Sequence, residues 1–174
     1  MIRSFLDWVD NGGVRKPSYI DGRKDPMGYD ILLQGRKRTI HLVGAYGDAV
    51  TAGCDTIRDV VQVFDYIQDQ HEAGKDILYE GLFVMNMTRG PELVARVDTE
   101  VFVLQLTVTL ATCIAGIDSR REVRGAKALF NKKNTKGNYV RAVNYCDVMR
   151  GAGATVVRAR REEALKVLLG LLNL

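Results

Sequence analysis

The chain has 174 residues, of which 47% are hydrophobic and 26% are charged, and its formal net charge is +4. These values predict one globular domain with a sizeable core, and the mild excess of cations suits an anionic ligand. No apolar run is long enough to span a bilayer and the N-terminus lacks a secretory signal, so we expect a cytoplasmic protein without a membrane partner. The three cysteines are far apart and lack metal-ligand spacing, which argues against a disulfide framework or a zinc site.

The first 38 residues begin with one regular element. Apolar side chains at helical spacing predict a short helix over residues 2–9 that stops at Asn11–Gly13. Residues 29–33 predict a strand, and the sequence QGRKR at 34–38 predicts a turn. We interpret residues 1–38 as an N-terminal extension packed on the core, and residues 39–174 as the main domain.

The stretch from Thr39 to Ile57 predicts a strand, a glycine-containing loop and a helix start. This order can hold phosphate, because N–H groups of the loop and of the helix N-terminus point at the anion. The standard phosphate-loop pattern is G-x-x-x-x-G-K-[ST]. Gly47 and Gly53 are one residue further apart than that pattern, and Cys54 occupies the position of its lysine. The alternative is a tight strand-to-helix connection in which Thr56 is only a helix cap.

The rest of the chain alternates helices and strands. Periodicity predicts helices over residues 56–74, 108–124, 136–150 and 162–172, a short one opened by Pro91, and strands over 76–84, 101–106 and 154–158. Residues 125–135 are polar and irregular. This order predicts a three-layer α/β domain with a mostly parallel sheet, in which ligands bind at the carboxyl ends of the strands.

Three carboxylates are predicted near that edge: Glu80, Asp55 and Asp48. Phosphoryl transfer uses one carboxylate to orient or deprotonate the acceptor hydroxyl, and a second one often holds magnesium through water. The alternative for Glu80 is a partly exposed residue at a strand end. Asp55 also suits a helix N-cap, a role that is compatible with catalysis.

Seven cations lie between residues 120 and 136, with only Asp118 and Glu122 as acidic residues nearby: Arg120, Arg121, Arg124, Lys127, Lys132, Lys133 and Lys136. A cationic helix end followed by a polar loop is how many kinases build a lid that closes over the transferred phosphate. The alternative is a helix C-terminus that favours cations through its dipole, followed by a solvated loop.

Four segments match one family pattern in order: GAYG…AGCDTI at 44–57, LYEGL at 78–82, RREVRG at 120–125 and NKKNT at 131–135. Together they resemble P-loop-like kinases from bacteriophage genomes, of the nucleotide or thymidylate kinase-like type. Some of these kinases are associated with phosphorylating hydroxymethylated pyrimidines in phage DNA. The resemblance covers about residues 39–160 and implies a P-loop NTPase/kinase-like fold, ATP, magnesium and the cytoplasm of a phage-infected host.

The resemblance also implies roles for individual residues. Glu80 or Asp55 would orient the acceptor hydroxyl, Thr56 would bind magnesium, and the lid arginines, Arg121 and Arg124 among them, would stabilise the moving phosphoryl group. The remaining cofactor-binding residues would lie in the phosphate loop and in a lid at about 120–136: Gly44, Tyr46, Gly47, Gly53, Cys54, Arg120 and Lys133. The implied function is an ATP- and magnesium-dependent phosphotransferase acting on a nucleotide or on a hydroxymethylated pyrimidine base in DNA.

Two other functions stay open at this point. The missing lysine and the basic segment also suit a catalytically degenerate P-loop fold that binds phosphate or nucleic acid without turnover. A kinase of small nucleotide metabolites, unrelated to DNA, is the third possibility. The acceptor is therefore either a nucleotide or DNA.

Overall fold

The structure is a computed structural model that describes residues 1–46, 52–57, 59–123 and 131–174. The chain divides into two compact units, Met1–Thr99 and Glu100–Leu174. Across the described ranges, no helix is both long enough and apolar enough to cross a membrane.

The first unit contains a four-stranded sheet in the order β1-β2-β3-β4: Gly13–Ser18, Gly28–Leu33, Ile40–Val43 and Asp76–Leu78. The pairs β1–β2 and β2–β3 are antiparallel, and only β3–β4 is parallel. The α/β class is confirmed, but the prediction of a mostly parallel sheet is wrong for this sheet. The connections 19–27 and 34–39 are too short for a crossover between parallel neighbours, which needs a dozen or more residues.

The N-terminal helix and two of these strands come from residues 1–38. Helix α1, Ile2–Asp10, buries Ile2, Phe5, Leu6 and Val9, as their helical spacing predicts. It ends at Asn11, and the Gly12 N–H donates to the Val9 carbonyl at 3.0 Å. Strands β1 and β2 then form a hairpin with Gly13 opposite Leu33 and Ser18 opposite Gly28.

Helix α2, Val60–Glu72, connects β3 to β4 and buries Val63, Phe64, Tyr66 and Ile67. Its N-cap is Asp59, whose carboxylate accepts from the N–H groups of Val61 (2.8 Å) and Gln62 (3.3 Å). The predicted caps, Asp55 and Thr56, instead lie in a separate 3₁₀ turn, Cys54–Thr56. Gly74 follows the helix with a φ of +80°, so the predicted glycine stop is confirmed.

The main core of the first unit lies between α2 and the sheet. It is formed by buried residues of β3, the 3₁₀ turn, α2 and the segments on either side: Met27, Val43, Cys54, Ile57, Val63, Phe64, Tyr66, Ile67, Val84 and Leu93. Strand β4 ends at Leu78, earlier than the predicted 76–84, because the chain turns at Gly81 with a φ of +150°. Glu80 therefore lies just after the strand. Helix α3, Arg89–Arg96, closes the unit.

The second unit contains two parallel strands, β5 (Phe102–Leu106) and β6 (Thr155–Ala159). Helices α4 (Leu110–Val123) and α5 (Lys132–Gly151) connect them, and α6 (Ala164–Leu171) follows β6. Helix α5 begins earlier than the predicted residue 136. The side chain of Asn131 caps it by accepting from the Asn134 N–H at 3.2 Å, so residues 132–135 are helical rather than irregular.

Candidate active site

Three connections meet at one edge of the four-stranded sheet. Leu42 pairs with Leu78 in the parallel pair, so the segments after β3 and β4 leave the same edge. The β1–β2 connection reaches this edge as well, because the Gly44 N–H donates to the carbonyl of buried Met27 at 2.6 Å. This is the edge at which the sequence predicts the site.

The chain after β3 folds back on itself and closes through Ala45, Gly53 and Thr56. The Gly53 N–H donates to the Ala45 carbonyl at 3.0 Å. The Thr56 hydroxyl donates to the Gly53 carbonyl at 2.7 Å and accepts from the Ala45 N–H at 3.2 Å. Gly47, one of the predicted cofactor-binding residues, lies outside the described residues.

Two glycines allow this close approach. Gly44 has a φ of +99° and Gly53 a φ of +69°, which side-chain-bearing residues rarely adopt. A Cβ at Gly44 would collide with the Gly53 backbone. A Cβ at Gly53 would come within 2.8 Å of the Glu80 carbonyl oxygen and 3.0 Å of the Tyr46 hydroxyl. The predicted glycines therefore fit a tight loop.

In the described part of this loop, residues 44–46 and 52–56, six backbone N–H groups donate to acceptors of the protein itself. The six pairs, each written from the N–H donor to the oxygen acceptor, are Gly44 to Met27 O, Ala45 to Thr56 Oγ1, Tyr46 to Tyr29 Oη, Gly53 to Ala45 O, Cys54 to Glu80 O and Thr56 to Gly53 O. A phosphate cradle needs N–H groups that point at the anion. These six N–H groups are therefore not free to bind a nucleotide at this edge.

Glu80 lies against this loop. Its carbonyl accepts from the Cys54 N–H at 2.9 Å, and its Cγ lies within 3.2 Å of the point where a Gly53 Cβ would be. Partial burial raises the pKa of the Glu80 carboxyl, and the Asp55 carboxylate adds to this shift. The amino terminus, the Tyr46 hydroxyl and Arg3 act in the opposite direction but do not cancel it.

The Tyr46 hydroxyl lies near Glu80. It is buried and makes no hydrogen bond of good geometry with any residue in the described ranges. Burial, and then the negative charge of Glu80, raise the pKa of Tyr46. The Tyr46 ring packs at a tilt against Tyr29, with ring centroids 6.4 Å apart. A buried hydroxyl and a half-buried carboxyl group that shift each other's pKa are unusual in a core and are typical of functional sites.

Asp55 and Cys54 follow Gly53 but have different surroundings. The Asp55 carboxylate accepts from the Phe83 N–H at 3.0 Å and so holds the segment that follows Glu80. The Cys54 side chain points into the core, where its thiol lies 3.8 Å from the Val43 carbonyl. Burial raises the pKa of this thiol to about 12, so the residue at the standard lysine position carries no charge at neutral pH.

Sequence reasoning missed Arg23. A turn with Gly22 at a φ of +79° presents this residue, and its Nη2 donates to the Thr56 carbonyl at 3.4 Å. Its Nε donates to the Asp25 carbonyl at the same distance. The Asp21-Gly22 dipeptide predicts a turn but not what the turn contacts.

Four predicted residues belong to the second unit. Arg120 and Arg121 lie in the last turn of α4, and Lys133 lies exposed in the first turn of α5. Arg124 lies outside the described residues. The proposed lid therefore begins at the C-terminal end of one helix and ends at the N-terminal end of the next.

Thr56 fits the predicted magnesium role by its chemistry. A hydroxyl oxygen has two acceptor positions, and the Ala45 N–H uses one of them, so one remains for a cation. Within the part of the chain that the structure describes, no group of three or more His, Cys, Asp or Glu side chains is arranged to hold a metal. Magnesium usually binds one or two protein oxygens together with substrate phosphates, so a single hydroxyl ligand is compatible with it.

Comparison with known proteins gives one informative relative. The chain is 26% identical over 160 residues to a "5-hmdU DNA kinase" of Pseudomonas phage PaMx11, and the match covers 91% of this chain and 84% of the relative. No protein-family model matches the chain. No solved structure gives a significant match.

Proposed function

We propose that this protein is a kinase that transfers a phosphoryl group to 5-hydroxymethyluracil in DNA, with ATP as the donor and magnesium as the metal. The similarity to the 5-hmdU DNA kinase carries this proposal, because it extends over 91% of the chain. That relative supports a DNA kinase and gives no support to a thymidylate kinase-like placement. The P-loop class of the fold remains part of the proposal.

Glu80 is the proposed general base. Its carboxylate takes the proton of the acceptor hydroxyl while the hydroxyl oxygen bonds to the transferred phosphorus and the bond to the nucleoside diphosphate breaks. The environment that raises the pKa of Glu80 makes it a stronger base than an exposed glutamate. Asp55 holds the segment after Glu80 through the Phe83 N–H and so positions this base.

When bound, ATP would supply the phosphoryl group and magnesium would neutralise the charge that develops on it. Thr56 is the proposed protein ligand of the metal. Arg23 is placed to supply positive charge in the first unit, since its guanidinium already reaches the Thr56 carbonyl. In the lid, Arg120, Arg121, Arg124 and Lys133 are the proposed phosphate contacts, as in other kinases that close over the donor.

One observation favours a second function, a phosphate or nucleic-acid binding module without turnover. Six N–H groups in the described part of the loop donate to protein acceptors and Cys54 replaces the lysine, so these positions do not supply the usual contacts to a triphosphate. Such a module would bind DNA through lysine and arginine contacts, with an affinity that falls steeply as salt is raised.

The decisive substrate experiment uses γ-labelled ATP and magnesium with matched oligonucleotides. A duplex with one 5-hydroxymethyluracil is compared with the same duplex carrying thymine, and with free deoxynucleotides. The proposal predicts label in the hydroxymethylated DNA and none in the thymine control. Label in free nucleotides alone would instead support a metabolic nucleotide kinase.

Calorimetry with ATP and magnesium separates the kinase from the binding module. The kinase proposal predicts ATP binding that weakens when Arg121 or Arg124 is changed to Gln. DNA binding that depends on salt, with no heat from ATP and no transferred label, would replace the kinase by the binding module.

A further inference from the structure

Next to Glu80, the chain exposes an unusual set of apolar side chains. Leu82 is 42% exposed, Phe83 is 48% exposed and Met87 is 38% exposed, all within the segment between Glu80 and α3. Single exposed apolar residues are common, but three large ones in a short segment beside a candidate site indicate an interaction surface.

This segment is held firmly in place. Val84 is 4% exposed and belongs to the core, and the Phe83 N–H donates to Asp55 at 3.0 Å. The Met85 N–H donates to the Leu82 carbonyl at 3.3 Å. The Asn86 side chain accepts from the N–H groups of Thr88 and Arg89, at 3.0 Å and 2.9 Å, where α3 begins.

Anchored side chains lie between the exposed ones along the segment. Val84 and Asn86 face the protein, while Leu82, Phe83 and Met87 present their side chains to solvent. A flexible loop would bury such side chains when it collapsed onto the surface. Here the backbone contacts keep them exposed, at the entropic cost of ordering the loop, which suits a preorganised binding element.

We propose that Leu82, Phe83 and Met87 form an apolar wedge that enters the base stack of duplex DNA and takes the place of the base being phosphorylated. The inference rests on the proposed function and specifies its substrate as a base turned out of the duplex. Proteins that kink or open DNA insert side chains of this kind, such as Phe, Leu and Met, between base steps.

The position of Glu80 explains why the base would have to leave the stack. A general base works only when it lies about 3 Å from the proton it accepts. The hydroxymethyl group of a stacked base lies within the major groove, about 8.5 Å deep. Glu80 is half-buried against the loop at Gly53, so its carboxylate does not project from the protein far enough to enter that groove. Turning the base out costs a few kcal/mol, and a side chain that fills the gap lowers that cost.

The test uses a duplex with 2-aminopurine beside the 5-hydroxymethyluracil, because 2-aminopurine fluoresces more when its neighbour leaves the stack. Without ATP, the wild type should raise this fluorescence and Phe83→Ala should lose the rise. Phe83→Leu keeps an apolar side chain and should retain most of it. Phe102→Ala is the control: it removes another exposed phenylalanine, 39% exposed and located in β5, and should behave as the wild type.

The second readout is the ratio of phosphorylation rates on duplex and single-stranded DNA. Phe83→Ala should lower this ratio by roughly tenfold, since only the duplex requires unstacking. An unchanged ratio and an unchanged fluorescence rise in a folded Phe83→Ala variant would overturn the wedge and leave the kinase proposal standing. Failure of the wild type to label either DNA would instead overturn the proposed function.

Discussion

Gly44 and Gly53 set the shape of the candidate site at the scale of single residues. Both have positive φ, and neither has room for a side chain: a Cβ at Gly44 would meet the Gly53 backbone, and a Cβ at Gly53 would meet Glu80 and Tyr46. The consequence is that Tyr46, Glu80 and the 3₁₀ turn lie close together. A substitution at Gly44 therefore tests whether the loop geometry is required for folding.

We expect Gly44→Ala to lower the free energy of unfolding by about 3 kcal/mol, because it combines an unfavourable φ with a backbone collision. Gly12→Ala is the matched control, since nothing lies within 4 Å of a Cβ at that position. Urea denaturation of the two variants measures the difference. Equal stabilities of Gly44→Ala and Gly12→Ala would contradict the loop geometry.

A cluster of titratable side chains, with His41 buried and Asp30 and Lys75 half-buried, lies on the face of the sheet that packs against α2. His41 is fully buried and its Nδ1 lies 2.6 Å from Asp30 Oδ1, while Lys75 donates to the same carboxylate at 2.8 Å. Burial lowers the pKa of His41, and this outweighs the opposing effect of Asp30. Its Nε2 lacks a partner in the described ranges, so a second proton on the ring would have no acceptor.

The cluster predicts loss of stability in mild acid. Because the folded-state pKa of His41 lies below the unfolded value of 6.5, its contribution is complete above pH 6.5 and declines as the pH falls below it. The slope should approach about 1.4 kcal/mol per pH unit. Thermal unfolding between pH 5 and 8 measures this slope, and His41→Gln should flatten the profile. A profile of equal slope in His41→Gln would exclude this origin.

At the scale of elements, the β1–β2 hairpin contributes residues to the candidate site, which its sequence does not predict. Its connection brings Met27 under the start of the loop and Arg23 against the Thr56 carbonyl. A segment read as an extension thereby contributes a cation to the candidate site. We attribute to Arg23 part of the charge that a phosphate-loop lysine normally supplies.

Arg23→Gln should weaken the binding of ATP and magnesium by about tenfold, the usual effect of losing one charge-assisted contact. Lys24→Gln changes the exposed neighbour and should leave the affinity unaltered. Titration calorimetry of both variants gives the comparison. Equal affinities of Arg23→Gln and the wild type would place the compensating charge elsewhere.

Local patterns predicted the elements well where one physical signal dominates. The apolar spacing of α1 and α2, the glycine after α2 and the strands at Ile40–Val43 and Phe102–Leu106 all match the structure. The start of α2 was misplaced because Asp55, Thr56 and Asp59 are all good caps, and only tertiary packing selects Asp59. Strand β4 was predicted too long because an apolar run does not show where Gly81 turns the chain.

At the scale of the whole molecule, the sheet direction was the main error. The strand predicted around residues 29–33 was assigned to no sheet, and β1, with its exposed Arg15, Lys16 and Pro17, shows no apolar alternation. When this hairpin is left out, the remaining strands alternate with helices, and this order predicts a parallel sheet. An exposed edge strand carries little hydrophobic signal, so its pairing depends on the partner strand rather than on its own sequence.

The candidate site was partly predictable for the same reason. The loop after β3 and Glu80 follow two parallel neighbours, and the rule that ligands bind at the carboxyl ends of strands brings them together. Arg23 and the exposed segment around Phe83 were not predictable, since no local pattern gives the contacts that position them. The roles of Arg121, Arg124 and Lys133 remain predictions.

The central claim is that Glu80 is the base of a phosphotransferase, and Glu80→Gln tests it most directly. The substitution keeps the shape of the side chain and the bond from the Cys54 N–H to the residue 80 carbonyl. The rate of label transfer from ATP to 5-hydroxymethyluracil DNA should fall by roughly 10²–10⁴-fold while the thermal midpoint is kept. Glu92→Gln, in α3, should retain the wild-type rate. A Glu80→Gln protein that transfers phosphate at the wild-type rate would contradict the account.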